Sequence, residues 1–131
     1  AAYVPCVRHG DLLLLSGQIA VRDGRVVYSG RVGDERTVAD GAQAARLCAI
    51  NALAVAAEAA GGADKLSRVL KLVVYVASPP DFREQHVVAN GASELLGEVF
   101  GEAGRHARAA LGVASLPMNS AVEVDVTFVV G

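Results

Sequence analysis

The sequence predicts a single α+β domain, because strand-like and helix-like segments follow one another without a linker. Two long segments carry apolar side chains at helical spacing, and shorter runs rich in valine and leucine lie before, between and after them. The predicted order is β-β-β-α-β-α-β-β. With no internal repeat and no low-complexity stretch, residues 1–131 are expected to form one domain.

Three short strands are predicted ahead of the first helix. Residues 4–8 and 12–15 are apolar runs separated by Gly10-Asp11, which is typical of a hairpin turn. Ser16-Gly17-Gln18 ends the second run. A turn at Asp23-Gly24 then precedes a strand over residues 25–28, and residues 29–36 are polar enough to form a loop.

Two helices are predicted from their termini and their apolar spacing. Thr37 and Asp40 have the capping-box pattern that starts a long alanine-rich helix, and Gly61-Gly62 is the pattern that ends one. The second helix is predicted from residue 82 or 83 to Phe100. Gly91 lies near its middle and lowers its helix propensity by about 1 kcal/mol relative to alanine.

The last three strands contain the residues of greatest chemical interest. Residues 66–77 are rich in valine and are predicted to form a central strand that ends at Pro79-Pro80. Residues 108–114 and 121–130 are predicted to pair as a hairpin through the turn at Leu116-Pro117. Such a hairpin would bring Arg108 and Glu123 toward one pocket.

Arg108 and Glu123 are the candidate reactive pair. A fixed guanidinium binds a carboxylate with two parallel hydrogen bonds, and a nearby glutamate can hold or deprotonate a water molecule. Together they suit chemistry on a small carboxylic acid. Two simpler interpretations stay open: Arg108 could be a surface or interface residue, and Glu123 could be a solvated strand position.

The composition favours contact with other subunits and argues against nucleic acid as a partner. The chain is 53% hydrophobic, but it has no tryptophan and much of the apolar content is alanine and valine, so additional burial at a subunit interface is expected. A strand face formed by Val122, Val124, Val126 and Val129 would need such cover. The net charge of −2, without blocks of one sign, argues against a nucleic-acid partner.

Other function classes are not expected. No apolar run is long enough to span a membrane, so no membrane partner is expected. Cys6 and Cys48 are too few for a disulfide framework, and no metal-site spacing links them with His9, His86 and His106. Cys48 lies in a helical apolar pattern that predicts a core residue. A reduced, cytoplasmic location is the expectation.

Several segments together resemble the RidA/YjgF family of reactive-intermediate deaminases over essentially the whole chain. Tyr3 lies thirteen residues before Ser16-Gly17-Gln18, residues 71–77 are similar to the family's central strand, and Arg108, Leu116-Pro117 and Glu123 follow at the family's spacing. The resemblance implies an α+β fold with a six-stranded mixed sheet and two helices on one face, similar to trimeric chorismate mutase. It also implies a homotrimer with clefts between subunits.

The resemblance further implies an activity, which is hydrolysis of enamines or imines of amino acids to keto acids, with release of ammonia and without a cofactor or metal. Arg108 corresponds to the carboxylate-binding arginine and Glu123 to the water-positioning glutamate. The substrate-binding positions would be Tyr3, Ser16, Gly17, Asn90 and Ala110. Asn90 is only near the family's asparagine, because the segment before it is longer than in the family.

Two departures from the family bear on the substrate. Ala110 replaces a frequent cysteine, although only the backbone is assigned a role there, and His106 replaces a proline next to Arg105. The chain is therefore expected to belong to a divergent branch. Three alternative functions remain: a small-carboxylate binder without catalysis, an interaction or holdase protein, and RNA cleavage, against which the acidic balance counts.

Overall fold

The computed structural model describes residues 2–131 and confirms the predicted α+β class: a six-stranded mixed sheet with two helices on one face. The sheet strands are β1 (Cys6–His9), β2 (Leu12–Leu15), β3 (Gln18–Ile19), β6 (Leu66–Ala77), β7 (Ala107–Val113) and β8 (Val122–Val130). A separate small hairpin contains β4 (Val21–Arg22) and β5 (Arg25–Val26). The helices are α1 (Val38–Ala60) and α2 (Gln85–Phe100).

The order of strands corrects one prediction. The sheet runs β1-β2-β8-β6-β7, with β3 also paired to β8. β7 is parallel to β6, and β8 is antiparallel to β6 on its other side. The predicted hairpin of residues 108–114 and 121–130 was therefore wrong. Helix α2 returns the chain beside β6 in the parallel direction, and the turn at Pro117–Asn119 then carries it across β6 rather than back along β7.

Helix α1 begins and ends where its caps predict. Thr37 Oγ1 accepts from the Asp40 N–H at 3.1 Å, and the Asp40 carboxylate accepts from the Thr37 N–H at 3.2 Å. Gly61 ends the helix in the left-handed region, with a φ of 87°. Ala45, Ala49 and Ala52 are fully buried in the core, where their small side chains let the helix pack closely.

Helix α2 begins at Gln85, later than predicted. A turn after the two prolines occupies the preceding residues, and the Phe82 N–H donates to the Pro79 carbonyl at 3.1 Å. Helix packing explains why glycine occupies position 91 despite its low helix propensity. A Cβ atom there would overlap the backbone carbonyl of Ala42 on α1, so glycine is what lets the two helices approach this closely.

The helices cover one face of the sheet and leave the other face exposed. Val122, Val124 and Val126 point toward the helices and are at most 1% exposed, so the expected uncovered valine face is covered by the chain itself. Val129 points to the opposite face because side chains alternate along a strand. That opposite face, free of helices, is the open one: its apolar side chains are 36–55% exposed at Val7, Leu12, Leu14 and Leu111.

Both cysteines are free, and Cys48 lies in the core as its helical pattern predicts. Cys48 is fully buried in the core, where burial raises the pKa of its thiol, and neither Cys6 nor Cys48 forms a disulfide. Within residues 2–131, no helix is both long and apolar enough to cross a bilayer. The same residues contain no group of three or more side chains arranged to hold a metal ion.

Candidate functional site

Arg108 lies on the edge strand β7 and points toward helix α2. It pairs in register with the buried Leu72, so it shares the helix-covered face of the sheet. Its Nη1 donates to Asn90 Oδ1 at 2.8 Å and to Ser93 Oγ at 3.2 Å, and its Nη2 donates to the His86 carbonyl at 3.2 Å. Two successive turns of α2 thus orient the guanidinium.

The guanidinium keeps donors available to a ligand. Arginine has five N–H groups, and these three hydrogen bonds use both protons of Nη1 and one of Nη2. The Nε–H and the second Nη2–H have no acceptor among the described residues. Because Arg108 is exposed, these donors can reach a carboxylate from solvent.

A histidine extends this group of residues. His106 Nε2 lies 2.9 Å from Ser93 Oγ, and His106 Nδ1 lies 2.7 Å from the Gly104 carbonyl oxygen. We call Asn90, Ser93, His106 and Arg108 the Arg108 cluster. Asn90, predicted to bind substrate, here holds the arginine that is predicted to do so.

Glu123 occupies a different environment on β8. It alternates with the fully buried Val122 and Val124, so it points to the face without helices. It pairs in register with Tyr75 on β6 and with Ile19 on β3. A cavity of about 270 Å³ lies there, and we call its lining residues the Glu123 cluster: Gly17, Tyr75, Leu116, Pro117, Glu123 and Asp125.

The carboxyl of Glu123 is partly buried and has no hydrogen-bond partner among residues 2–131. Burial, and in second place the negative charge of Asp125, raises the pKa of Glu123 above its ordinary value. Gly17 allows the carboxylate to lie where it does, because a Cβ atom at that position would overlap Glu123 Oε2. This is a carboxyl group placed to accept a proton or hold a water.

The remaining predicted substrate-binding residues lie near Gly17 or beside Arg108. Tyr3, Ser16 and Gly17 border a cavity of about 490 Å³ between the N-terminal segment and α1. Tyr3 is 72% exposed, and the Ser16 hydroxyl donates to the Val4 carbonyl at 2.6 Å, which ties the N-terminal segment down. Ala110 lies two residues beyond Arg108 on the same face, with its side chain partly buried against the core.

One chain does not bring Arg108 and Glu123 together. They point to opposite faces, and strand β6 lies between their strands. Glu123 is level with Tyr75 and Arg108 with Leu72, three residues away along β6. Strand spacing and rise place the two Cα atoms about 14 Å apart. The expected approach through a hairpin does not occur within a subunit.

Sequence reasoning missed Ser93 and Tyr75. Ser93 follows Asn90 by three residues, so both lie on one face of α2, and a polar pair at that spacing was the available signal. Tyr75 carried no signal without the register, since only the pairing of β6 with β8 places it beside Glu123.

The comparisons with known proteins agree on the family. Residues 1–129 match the family described as "YjgF/chorismate_mutase-like, putative endoribonuclease". The chain is 48% identical over 124 residues to Protein TCP17 of Trypanosoma cruzi, covering 94% of this chain and 78% of that protein.

Two solved structures illustrate the likeness in fold. Protein Atu1372 of Agrobacterium tumefaciens, described as having unknown function, is 47% identical with a TM-score of 0.95, covering 100% of this chain and 83% of that one. The YjgF gene product of E. coli is 27% identical with a TM-score of 0.68, covering 97% and 87%. The fold is shared with both, and it agrees more closely with the former. The chain therefore belongs to the YjgF/chorismate-mutase-like family.

Proposed function

We propose that this protein hydrolyses imines or enamines of small amino acids, giving keto acids and ammonia. The observation that carries the proposal is the guanidinium of Arg108, which three hydrogen bonds orient while two N–H donors stay open. A carboxylate fits two such donors, and a held arginine loses less conformational entropy on binding than a free one. Every α-imino acid carries that carboxylate next to its C=N bond.

Glu123 would supply the chemistry at that bond. A water molecule adds to the imine carbon while Glu123 takes one of its protons, and Glu123 passes that proton to the nitrogen to give a carbinolamine. The hydroxyl proton then moves to the nitrogen as well, the C–N bond breaks to release ammonia, and the carbonyl forms. Burial, and in second place the negative charge of Asp125, raises the pKa of Glu123, which strengthens its carboxylate as a base. Addition and loss of ammonia involve no net oxidation, so the reaction needs no redox cofactor.

The proposed site is built from two subunits of a homotrimer. Arg108 and Glu123 lie on opposite faces of one sheet, so a shared ligand requires Arg108 of one copy and Glu123 of another. The open apolar face offers the surface for such contact, since Leu12, Leu14 and Leu111 are 36–48% exposed. A closed ring of copies would place one site at each boundary.

A second candidate function is carboxylate binding without turnover. The separation of Arg108 from Glu123 within the chain favours it, because Arg108 could hold a ligand that Glu123 never meets. Cleavage of RNA, which the family description mentions, lacks support in a chain of net charge −2. A cytoplasmic location accompanies the proposed function, since both cysteines are unpaired.

A complementation assay tests both the activity and the composite site. An amino-acid oxidase or a pyridoxal-phosphate dehydratase generates imines in situ, and keto-acid release is followed with and without the protein. Arg108→Ala and Glu123→Gln are then each assayed alone and after unfolding and refolding as an equal mixture. Each variant alone should be inactive, and the mixture should recover about a quarter of the sites, because one boundary in four carries both intact side chains.

Three results would speak against parts of this proposal. A mixture as inactive as its components would exclude a site shared between subunits. A monomer by light scattering at micromolar concentration would exclude the trimer. A wild-type protein that accelerates no imine in a broad panel, yet binds keto acids, would move the binding function to first place.

A further inference from the structure

We infer that His106, acting through Ser93, is a positioning residue that holds Arg108 in its carboxylate-binding orientation. The inference rests on the proposed function of Arg108 and extends it to two residues with no assigned role. Its basis is an unbroken series of hydrogen bonds, from Arg108 Nη1 to Ser93 Oγ at 3.2 Å, to His106 Nε2 at 2.9 Å, and from His106 Nδ1 to the Gly104 carbonyl at 2.7 Å.

The Gly104 end fixes the histidine tautomer. A carbonyl oxygen only accepts, so His106 Nδ1 must carry a proton and donate it. Gly104 itself is fixed, because it is buried and a Cβ atom there would meet the Leu96 carbonyl of α2. The acceptor for Nδ1 therefore belongs to a turn that is pressed against the same helix that carries Ser93.

The tautomer in turn fixes the serine hydroxyl. With Nδ1 protonated and the ring neutral, Nε2 has a lone pair and accepts the Ser93 O–H. The Ser93 oxygen then keeps its lone pairs for Arg108 Nη1. All bonds run in one direction, from arginine to serine to histidine to carbonyl, and such series strengthen their members.

The consequence for Arg108 is orientation rather than chemistry. An exposed arginine side chain has several rotatable bonds, and each bond to α2 removes some of that freedom before a ligand arrives. Asn90 and the His86 carbonyl supply two of the bonds. Nη1 donates the third bond to Ser93 Oγ, and His106 Nε2 orients that hydroxyl by accepting its proton.

Four substitutions separate this role from simple packing. Ser93→Ala removes the hydroxyl, and Ser93→Thr keeps it. His106→Asn can keep a donor for the Gly104 carbonyl, but its side chain is too short to accept a hydrogen bond from Ser93. His106→Gln can place an oxygen near the position of Nε2 and accept that hydrogen bond. Pyruvate is the probe, with its Kd measured by calorimetry and the imine reaction measured separately for KM and kcat.

We expect Ser93→Ala and His106→Asn to raise the pyruvate Kd and the KM about tenfold with kcat nearly unchanged, by loss of one charge-assisted hydrogen bond. Ser93→Thr and His106→Gln should bind within about twofold of the wild type. Nitrogen NMR of the wild-type His106 ring should show a proton on Nδ1 and none on Nε2 at pH 7.5.

The outcomes distinguish the two proposals. If all four variants bind pyruvate like the wild type while Arg108→Ala does not, the positioning role is wrong and the function of Arg108 stands. If Arg108→Ala also binds like the wild type, both proposals fail. A protonated Nε2 in the wild-type NMR spectrum would overturn the inference even if a variant failed to fold.

Discussion

The Arg108 cluster and the Glu123 cluster lie on opposite faces of the same sheet and differ in exposure and in hydrogen bonding. The guanidinium of Arg108 is exposed but held by three hydrogen bonds to α2. The carboxyl of Glu123 is partly buried, lies over Gly17 and has no hydrogen-bond partner within residues 2–131. One group is oriented and open to an anion, and the other is withdrawn from water with its proton held more tightly than usual.

This difference assigns the two clusters different tasks. A charged group that stays oriented in solvent suits recognition, because its desolvation is modest and its geometry is already set. A carboxyl with a raised pKa suits proton transfer, since its basicity is closer to that required near neutral pH. Substitutions in the two clusters should therefore affect different kinetic constants.

The largest effect is expected from Glu123→Gln, which keeps the size of the side chain and removes the base. The turnover number should fall about a hundred- to ten-thousand-fold, whereas the affinity for a keto acid should change little because Arg108 is intact. Single-turnover kinetics and calorimetry measure the two quantities. Ala110→Cys is not expected to raise the turnover number, because a thiol at that position has no assigned role. An unaltered turnover number in Glu123→Gln would show that Glu123 is not the base.

Arg108→Ala should act on affinity instead. Removing the guanidinium should weaken keto-acid binding by about 2–5 kcal/mol, as when one member of a close charge pair is truncated. Arg108→Lys should recover little, because an ammonium group lacks the planar fork. The matched control is Arg105→Ala: the side chain of Arg105 is 78% exposed, and its ion pair within residues 2–131 is with Glu102 at 3.4 Å. Equal losses in both arginine variants would point to general electrostatics rather than a site.

The smallest effect concerns pH. The ionised form of Glu123 is the base, so activity should fall as the pH drops through its pKa, and this acidic limb should lie above the ordinary glutamate value of about 4.3. Asp125→Asn removes a negative charge that helps to raise that pKa, so the limb should move to lower pH. Because burial is the larger cause, part of the displacement should remain. A limb that moved upward would contradict this arrangement of charges.

Local signals predicted most of the fold. The Thr37–Asp40 capping box and Gly61 fixed the ends of α1, since a cap depends on residues adjacent in the chain. The central strand over residues 66–77 was predicted with its observed bounds. The predicted pairing of β7 with β8 was wrong, because sequence patterns identify strands but not their neighbours in the sheet. The strand between them, β6, comes earlier in the chain, so nothing in the sequence near β7 and β8 indicates it.

The candidate site was predictable in its residues and not in its arrangement. Family spacing selected Arg108 and Glu123, and Asn90 does lie 2.8 Å from Arg108 despite its shifted position in the sequence. That the two clusters occupy opposite faces depends on strand order and register, which no motif encodes. Ser93 and Tyr75 were missed for the same reason, since their relevance comes only from what the fold places beside them.

The route of the chain through β6, α2 and β7 has a further consequence, for the order in which the two clusters form during folding. The hydrogen bonds of Arg108 to α2 close loops of only 15 to 22 residues, all within one strand-helix-strand unit. The Glu123 cluster instead joins residues from the first twenty, the middle and the last ten of the chain. Short loops close at lower entropic cost than long ones. The anion-holding half is thus a locally encoded module, whereas the proton-transfer half exists only in a completed sheet.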